Sequence, residues 1–139
     1  MKRNQPVFIG ALVALFSLAV LVSPLIAAAQ HGFSVKQYEK FHEVLHPLEH
    51  EALPKGDYHR IRSNSNVLVQ HGREIVKYGV PAGTAEDQQA EFKKELDKFN
   101  NALSQFQKHA RRGSNSQLKI SYSAVHDSFE MLASMLPRK

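Results

Sequence analysis

Residues 42–51, HEVLHPLEHE, place three histidines and three glutamates in ten positions. Side chains four residues apart stand one turn apart on the same side of an α-helix. His42 with His46, and His46 with His50, both have this spacing. Because two imidazoles so placed can chelate one Zn²⁺ or Cu²⁺ ion, the stretch indicates a helix with metal-binding chemistry.

The other candidate ligands come from elsewhere in the chain. If the last helix packs antiparallel to the first, His126 lies near the level of His42, and Glu39 can add a carboxylate one turn earlier. His71 falls on the apolar stripe of its helix, where a histidine is more often a hydrogen-bonded core residue than a ligand. The absence of cysteine and the scarcity of methionine favour Zn²⁺ or Cu²⁺ over Cu(I). The predicted metal ligands are His42, His46, His50, His126 and Glu39.

The first five residues of this stretch also spell HExxH, the signature of zinc peptidases, in which the glutamate is the general base. Pro47 follows the second histidine at once and predicts a kink in the helix that the motif requires. The chain has neither the extended motif with a third histidine nor a predicted strand to hold a peptide. We therefore favour a binding protein and keep a peptidase as an alternative.

The chain begins with the parts of a secretory signal peptide. Lys2 and Arg3 precede an apolar run of about twenty residues, which ends in small residues at 27–29. Cleavage after Ala29 would leave residues 30–139 as a periplasmic domain without a stable membrane association, and an uncleaved anchor is the alternative. Loss of Lys2 and Arg3 lowers the net charge from +5 to +3, too little to indicate a nucleic-acid partner.

Four helical stretches follow, and no strand pattern does. They run from Ser34 to Ala52, from Asp57 to Tyr78, from Thr84 to Arg112 and from Asn115 to Leu136, with Ser34, Asp57 and Thr84 as predicted N-caps. Each has one apolar stripe, so we predict an all-α, antiparallel up-down-up-down four-helix bundle over residues 30–139. The third stripe consists of Phe92, Leu96, Phe99, Leu103, Phe106 and Ala110.

The fourth stretch resembles the last helix of the cytochrome c-prime family over residues 122–129, YSAVHDSF. That resemblance implies an exported four-helix bundle with haem near His126. Tyr122 and Val125 stand where the family has its two attachment cysteines, so covalent haem is excluded. Haem b would have to bind without covalent links, as in the soluble b-type cytochromes, with His42 or His71 as the second ligand. The other implication is a haem-less relative that holds a metal ion or nothing.

The sequence thus supports three functions. The leading prediction is an exported bundle that binds a divalent transition metal through histidines, in storage, buffering or sensing. The second is non-covalent haem binding through His126 and His71. The third is a cofactor-free structural or adaptor bundle, which would act through a homodimer or another protein partner.

Overall fold

Five α-helices and one π-helical segment form the protein in this computed structural model, which describes residues 32–137. The predicted signal peptide lies outside the described residues. The helices are α1 (Lys36–Pro47), continued by the π-helical segment (Leu48–Ala52), α2 (Tyr58–Ser63), α3 (Ser65–Tyr78), α4 (Glu86–Arg112) and α5 (Asn115–Ser134). Residues 32–137 contain no β-strand, so the all-α prediction is confirmed. No helix in this part of the chain has the length and apolarity needed to cross a membrane.

The first helix continues through Pro47 and widens after it. Proline has no N–H to donate and crowds the carbonyl four residues earlier, here that of Glu43. The turn after Pro47 is a π-helix, in which the Leu53 N–H donates to the Leu48 carbonyl five residues back at 2.9 Å. The helix begins after Val35, whereas Ser34 was the predicted cap, and no side chain caps it.

The second predicted helix is two helices, separated at Asn64. Asp57 caps α2 as predicted, because its Oδ1 accepts a hydrogen bond from the Arg60 N–H at 3.0 Å. The Asn64 side chain donates to the Arg60 carbonyl at 2.9 Å, and the Ser65 hydroxyl donates to the Arg62 carbonyl at 2.7 Å. These side chains compete with the regular main-chain hydrogen bonds of the helix. Asn64 ends α2 at φ −93°, ψ −2°.

Two further predictions are wrong, one about a buried residue of α3 and one about the N-cap of α4. The apolar stripe predicted for the second stretch includes Tyr78, but 44% of Tyr78 is exposed, and Val69 is buried on α3 instead. Thr84 does not cap α4, because its hydroxyl donates to the Pro81 carbonyl at 2.8 Å and Ala85 occupies the cap position. The Thr84 hydroxyl therefore stabilises the preceding turn.

The predicted apolar stripe of α4 is confirmed, since all six of its residues are buried. The helix ends at Arg112, before Gly113, as predicted. Ser114 and Gln117 then form a reciprocal capping box that starts α5.

Aromatic rings join α1, α4 and α5 in the core. The ring of Phe129 lies 4.7 Å from that of Phe41 and 5.8 Å from that of Tyr38, and Phe41 in turn packs edge-on against Phe99 at 5.4 Å. The four side chains are fully buried. Aromatic pairs at such distances stabilise a core beyond the area that they bury.

The Arg62 side chain binds the end of α4. Its guanidinium donates to the carbonyls of His109 and Ala110, each at 2.9 Å, and to that of Gly113 at 2.8 Å. The last carbonyls of a helix have no partners within it, so Arg62 supplies donors where they are lacking. Its positive charge also lies at the negative end of the helix dipole.

We expect Arg62→Ala to lower the free energy of unfolding by about 2 kcal/mol, since several hydrogen bonds from a charged donor are lost at a partly exposed site. The measurement is urea-induced unfolding followed by circular dichroism. Arg60→Ala is the matched control on the same helix. Arg60 forms a surface ion pair with Glu51 at 2.8 Å, and because solvent screens such a pair, its removal should cost much less than that of Arg62. Equal losses in the two variants would contradict the role given to Arg62.

Candidate functional site

His42, His46 and His50 form a row along the first helix, called here the histidine ladder. The ring centroids are 5.2 Å apart for His42 and His46, and 4.4 Å apart for His46 and His50. His46 and His50 are exposed, and His42 is partly buried. The ladder presents three adjacent imidazoles on one side of the helix.

The π-helical segment accounts for the closer pair. A π turn contains more residues than an α turn, so two residues four positions apart come nearer to lying directly above one another. His42 and His46 both lie in α1, whereas the step from His46 to His50 enters the widened turn. The closer pair of rings therefore lies where the helix widens after Pro47.

His42 stands at the inner end of the ladder, against the core. The ring of Phe33 lies 5.4 Å away edge-on, and the ring of Phe129 is stacked at 6.3 Å. Burial lowers the pKa of His42 below its ordinary value, and repulsion from the nearby His46 lowers it further. Because the neutral form is favoured, an imidazole nitrogen of His42 is free to bind a metal ion at neutral pH.

His126 approaches the ladder from α5. It is partly buried, and its charge contributes to lowering the pKa of His42, while the carboxylate of Glu130 acts in the opposite direction. Its Nδ1 lies 3.2 Å from Oδ1 of the adjacent Asp127. Two titratable side chains of α5 thus lie close enough to His42 to change its protonation.

The remaining predicted residues stand apart. Nδ1 of His71, on α3, lies 3.3 Å from Oε2 of Glu74 on the same helix. Glu39 is exposed in the first turn of α1. In residues 32–137, no three side chains of His, Cys, Asp or Glu are grouped around one metal position. The predicted ligands therefore do not form one closed centre in this structure.

A buried polar contact beneath the ladder was not predicted. The Tyr122 hydroxyl of α5 donates to the Leu45 carbonyl of α1 at 3.2 Å. Burial raises the pKa of Tyr122 well above its usual range, and the nearby Glu49 carboxylate raises it further. Oε2 of Glu49 is buried without a hydrogen-bond partner. The sequence carries no signal for this contact, because the acceptor is a main-chain carbonyl on another helix.

The geometry also bears on two alternative functions. The HExxH histidines, His42 and His46, have no third protein ligand grouped with them in residues 32–137. For haem, the space between α1, α4 and α5 is occupied by the fully buried rings of Phe41, Phe99 and Phe129. Haem binding through His126 and His71 stays a prediction.

Comparisons of the chain with protein-family models, with curated proteins and with solved structures found no match. The resemblance to the cytochrome c-prime family likewise stays a prediction. The chemistry of the histidine ladder and its surroundings is therefore the basis for the proposed function.

Proposed function

We propose that the protein is an exported, periplasmic metal-binding protein that holds a divalent transition metal ion through the histidine ladder. The observation that carries this proposal is the 4.4 Å separation of the exposed His46 and His50 rings, with His42 next to them. Imidazole nitrogens suit Zn²⁺ and Cu²⁺, and the chain has no thiolate to compete for either ion. His126, from α5, and Glu39, one turn earlier on α1, are the candidate additional ligands.

The proposed scaffold is an antiparallel up-down-up-down four-helix bundle, with α2 and α3 together as its second member. Three helix pairs support it: α1 packs against α3, α3 against α4, and α4 against α5. Short connections between consecutive helices favour antiparallel neighbours. In such a bundle, α1 and α5 also lie side by side, in keeping with the contacts between Phe41 and Phe129.

An ion held by two or three imidazoles from one helix keeps open coordination positions. Structural zinc sites are closed by four protein ligands, whereas sites with fewer protein ligands keep water or an exchangeable ligand. The ladder lies at an exposed surface, so its ion can be reached from solution. These features suit storage, buffering or sensing of a metal ion.

The test is isothermal titration of the untagged protein with Zn²⁺ and with Cu²⁺, since an affinity tag would itself bind both ions. We expect saturable binding at pH 7.5 that weakens markedly at pH 5.5, because imidazoles must lose their proton to bind a metal. The double variant His46→Ala/His50→Ala should weaken binding by at least about 100-fold, since ligands themselves are lost rather than the outer-shell partners of ligands.

His59→Ala is the matched control for that variant. His59 is also an exposed histidine on a helix, but it lies on α2 and outside the ladder. Its replacement should leave the affinity unchanged. Absence of saturable binding by the unaltered protein, or an equal loss in both variants, would refute the proposal. A Soret band in the absorption spectrum of the isolated protein would instead support haem.

A second candidate function is a cofactor-free bundle that binds another protein. Ile120 and Met131 of α5 favour it, because 68% and 51% of these apolar side chains are exposed. They lie eleven residues apart, which is three turns, and so share one side of the helix. This second function would be supported if the protein binds no metal and if Ile120→Glu abolishes an interaction with a protein partner.

A further inference from the structure

The geometry points to a metal ion shared between two copies of the chain, with His46 and His50 of each copy as its four ligands. This inference rests on the proposed function and adds its partner, a second copy of the same protein. Three properties of the surface around the ladder support it: accessibility, number of ligands and charge.

Accessibility comes from the position of the two rings. His46 and His50 are both exposed, and their centroids are 4.4 Å apart. His42, at the other end of the ladder, is partly buried against Phe33 and Phe129. The pair that a second molecule can approach most directly is therefore also the pair with the closer rings.

The number of ligands favours a second copy. Zn²⁺ in closed protein sites takes four ligands in a tetrahedral arrangement. Within residues 32–137, no third His, Cys, Asp or Glu side chain is grouped with His46 and His50 around one position. Two copies related by a two-fold axis bring the same two histidines twice, which gives four imidazoles without any further surface.

Charge makes this contact depend on the metal. Glu39 and Glu43 are exposed on α1, four residues apart. In a contact between two ladders these carboxylates add negative charge on both copies, beside the exposed Lys36 and Lys40 of the same helix, and a divalent cation between the copies offsets that charge. We therefore expect monomers without the metal and dimers with it.

The experiment is sedimentation velocity of the untagged protein, as isolated from the cell, in EDTA and then with Zn²⁺ added. We expect a monomer in EDTA and a dimer with Zn²⁺, reversed by EDTA, with one zinc ion per two chains by elemental analysis of the dimer fraction. His46→Ala/His50→Ala should remain monomeric at the same Zn²⁺ concentration. His59→Ala should form the dimer as the unaltered protein does. Circular dichroism should show the same helix content in all three, because the replaced side chains are exposed.

The outcomes separate this inference from the proposed function. Zinc bound at one ion per chain, with the mass of a monomer, would overturn the shared site and leave the metal-binding function in place. A dimer that persists in EDTA, or one that forms equally well without His46 and His50, would also overturn it. Absence of any saturable zinc binding would overturn the proposed function and this inference together.

Discussion

Phe129→Ala is expected to lower the free energy of unfolding by about 4 kcal/mol, within the range found when a buried phenylalanine is truncated. The ring is fully buried on α5 and packs against Phe33, Tyr38 and Phe41. It is also stacked on His42 at 6.3 Å. Because burial is the main cause of the lowered pKa of His42, removal of the ring should raise that pKa toward its ordinary value of about 6.5.

The two effects are measured by urea-induced unfolding and by NMR titration of the histidine ring protons. Phe92→Ala is the matched control. Phe92 is equally buried, on α4, whereas the rings that pack against His42 are those of Phe33, His46 and Phe129. It should cost a similar amount of stability and leave the pKa of His42 unchanged. A shift of that pKa in both variants would mean that the effect follows general loosening of the core.

Gly72→Val should lower the free energy of unfolding by about 3 kcal/mol, at the upper end of the range for overpacking. A β-carbon at Gly72 would lie 2.6 Å from both terminal methyl carbons of Leu103. Leu103 is itself fully buried, so its side chain can move away from the new β-carbon only within the packed core. On an exposed helix face, replacement of glycine would raise the free energy of unfolding. At position 72 packing lowers it, so packing sets the sign of the change.

Gly72→Ala separates the effect of packing from that of helix propensity. Alanine is the best helix former, yet it places the same β-carbon against Leu103. We expect a net loss of about 1 kcal/mol from Gly72→Ala. In Gly72→Ala/Leu103→Ala, the loss should be smaller than the sum of the two single losses, since the new methyl group fills space that Leu103 leaves. Strict additivity in this double-mutant cycle would contradict the contact.

The apolar faces of the helices could be predicted from the sequence because they depend on local spacing. All six stripe residues of α4 are buried, and the starts of α2 and α5 follow the cap at Asp57 and the break at Gly113. Burial of one helix side requires only the 3.6-residue period. The period therefore predicts which residues enter the core without any knowledge of the neighbours.

Features that depend on contacts between helices were not predictable. The role of Arg62 requires the end of α4 to lie beside α2, and the need for glycine at position 72 requires Leu103 to lie opposite. The break at Asn64 was missed for another reason: its hydrogen bonds are local, but an apolar period runs through it. Tyr78 fits the same period, and it is exposed at the last position of α3.

The ladder was predictable in part. Spacing of four residues places His42, His46 and His50 on one side of a helix, and the structure has them there. Pro47 was predicted to kink the helix, and the structure has a π-helical turn directly after it, which the sequence did not indicate. A proline can be accommodated in several ways, so its residue type does not specify the geometry of the next turn. The Leu45 carbonyl, which accepts both the Leu48 N–H and the Tyr122 hydroxyl, was not predictable from it either.

His46 belongs to both neighbouring pairs of the ladder, since its ring lies 5.2 Å from that of His42 and 4.4 Å from that of His50. If the ladder holds a metal ion as proposed, an ion on His46 and His50 would have His42 as a neighbouring ligand while His46 still held it. A ligand-by-ligand exchange of this kind would avoid a fully dissociated state. The proposed site would then also be a path, directed from the exposed surface toward His42 and the side chains of α5.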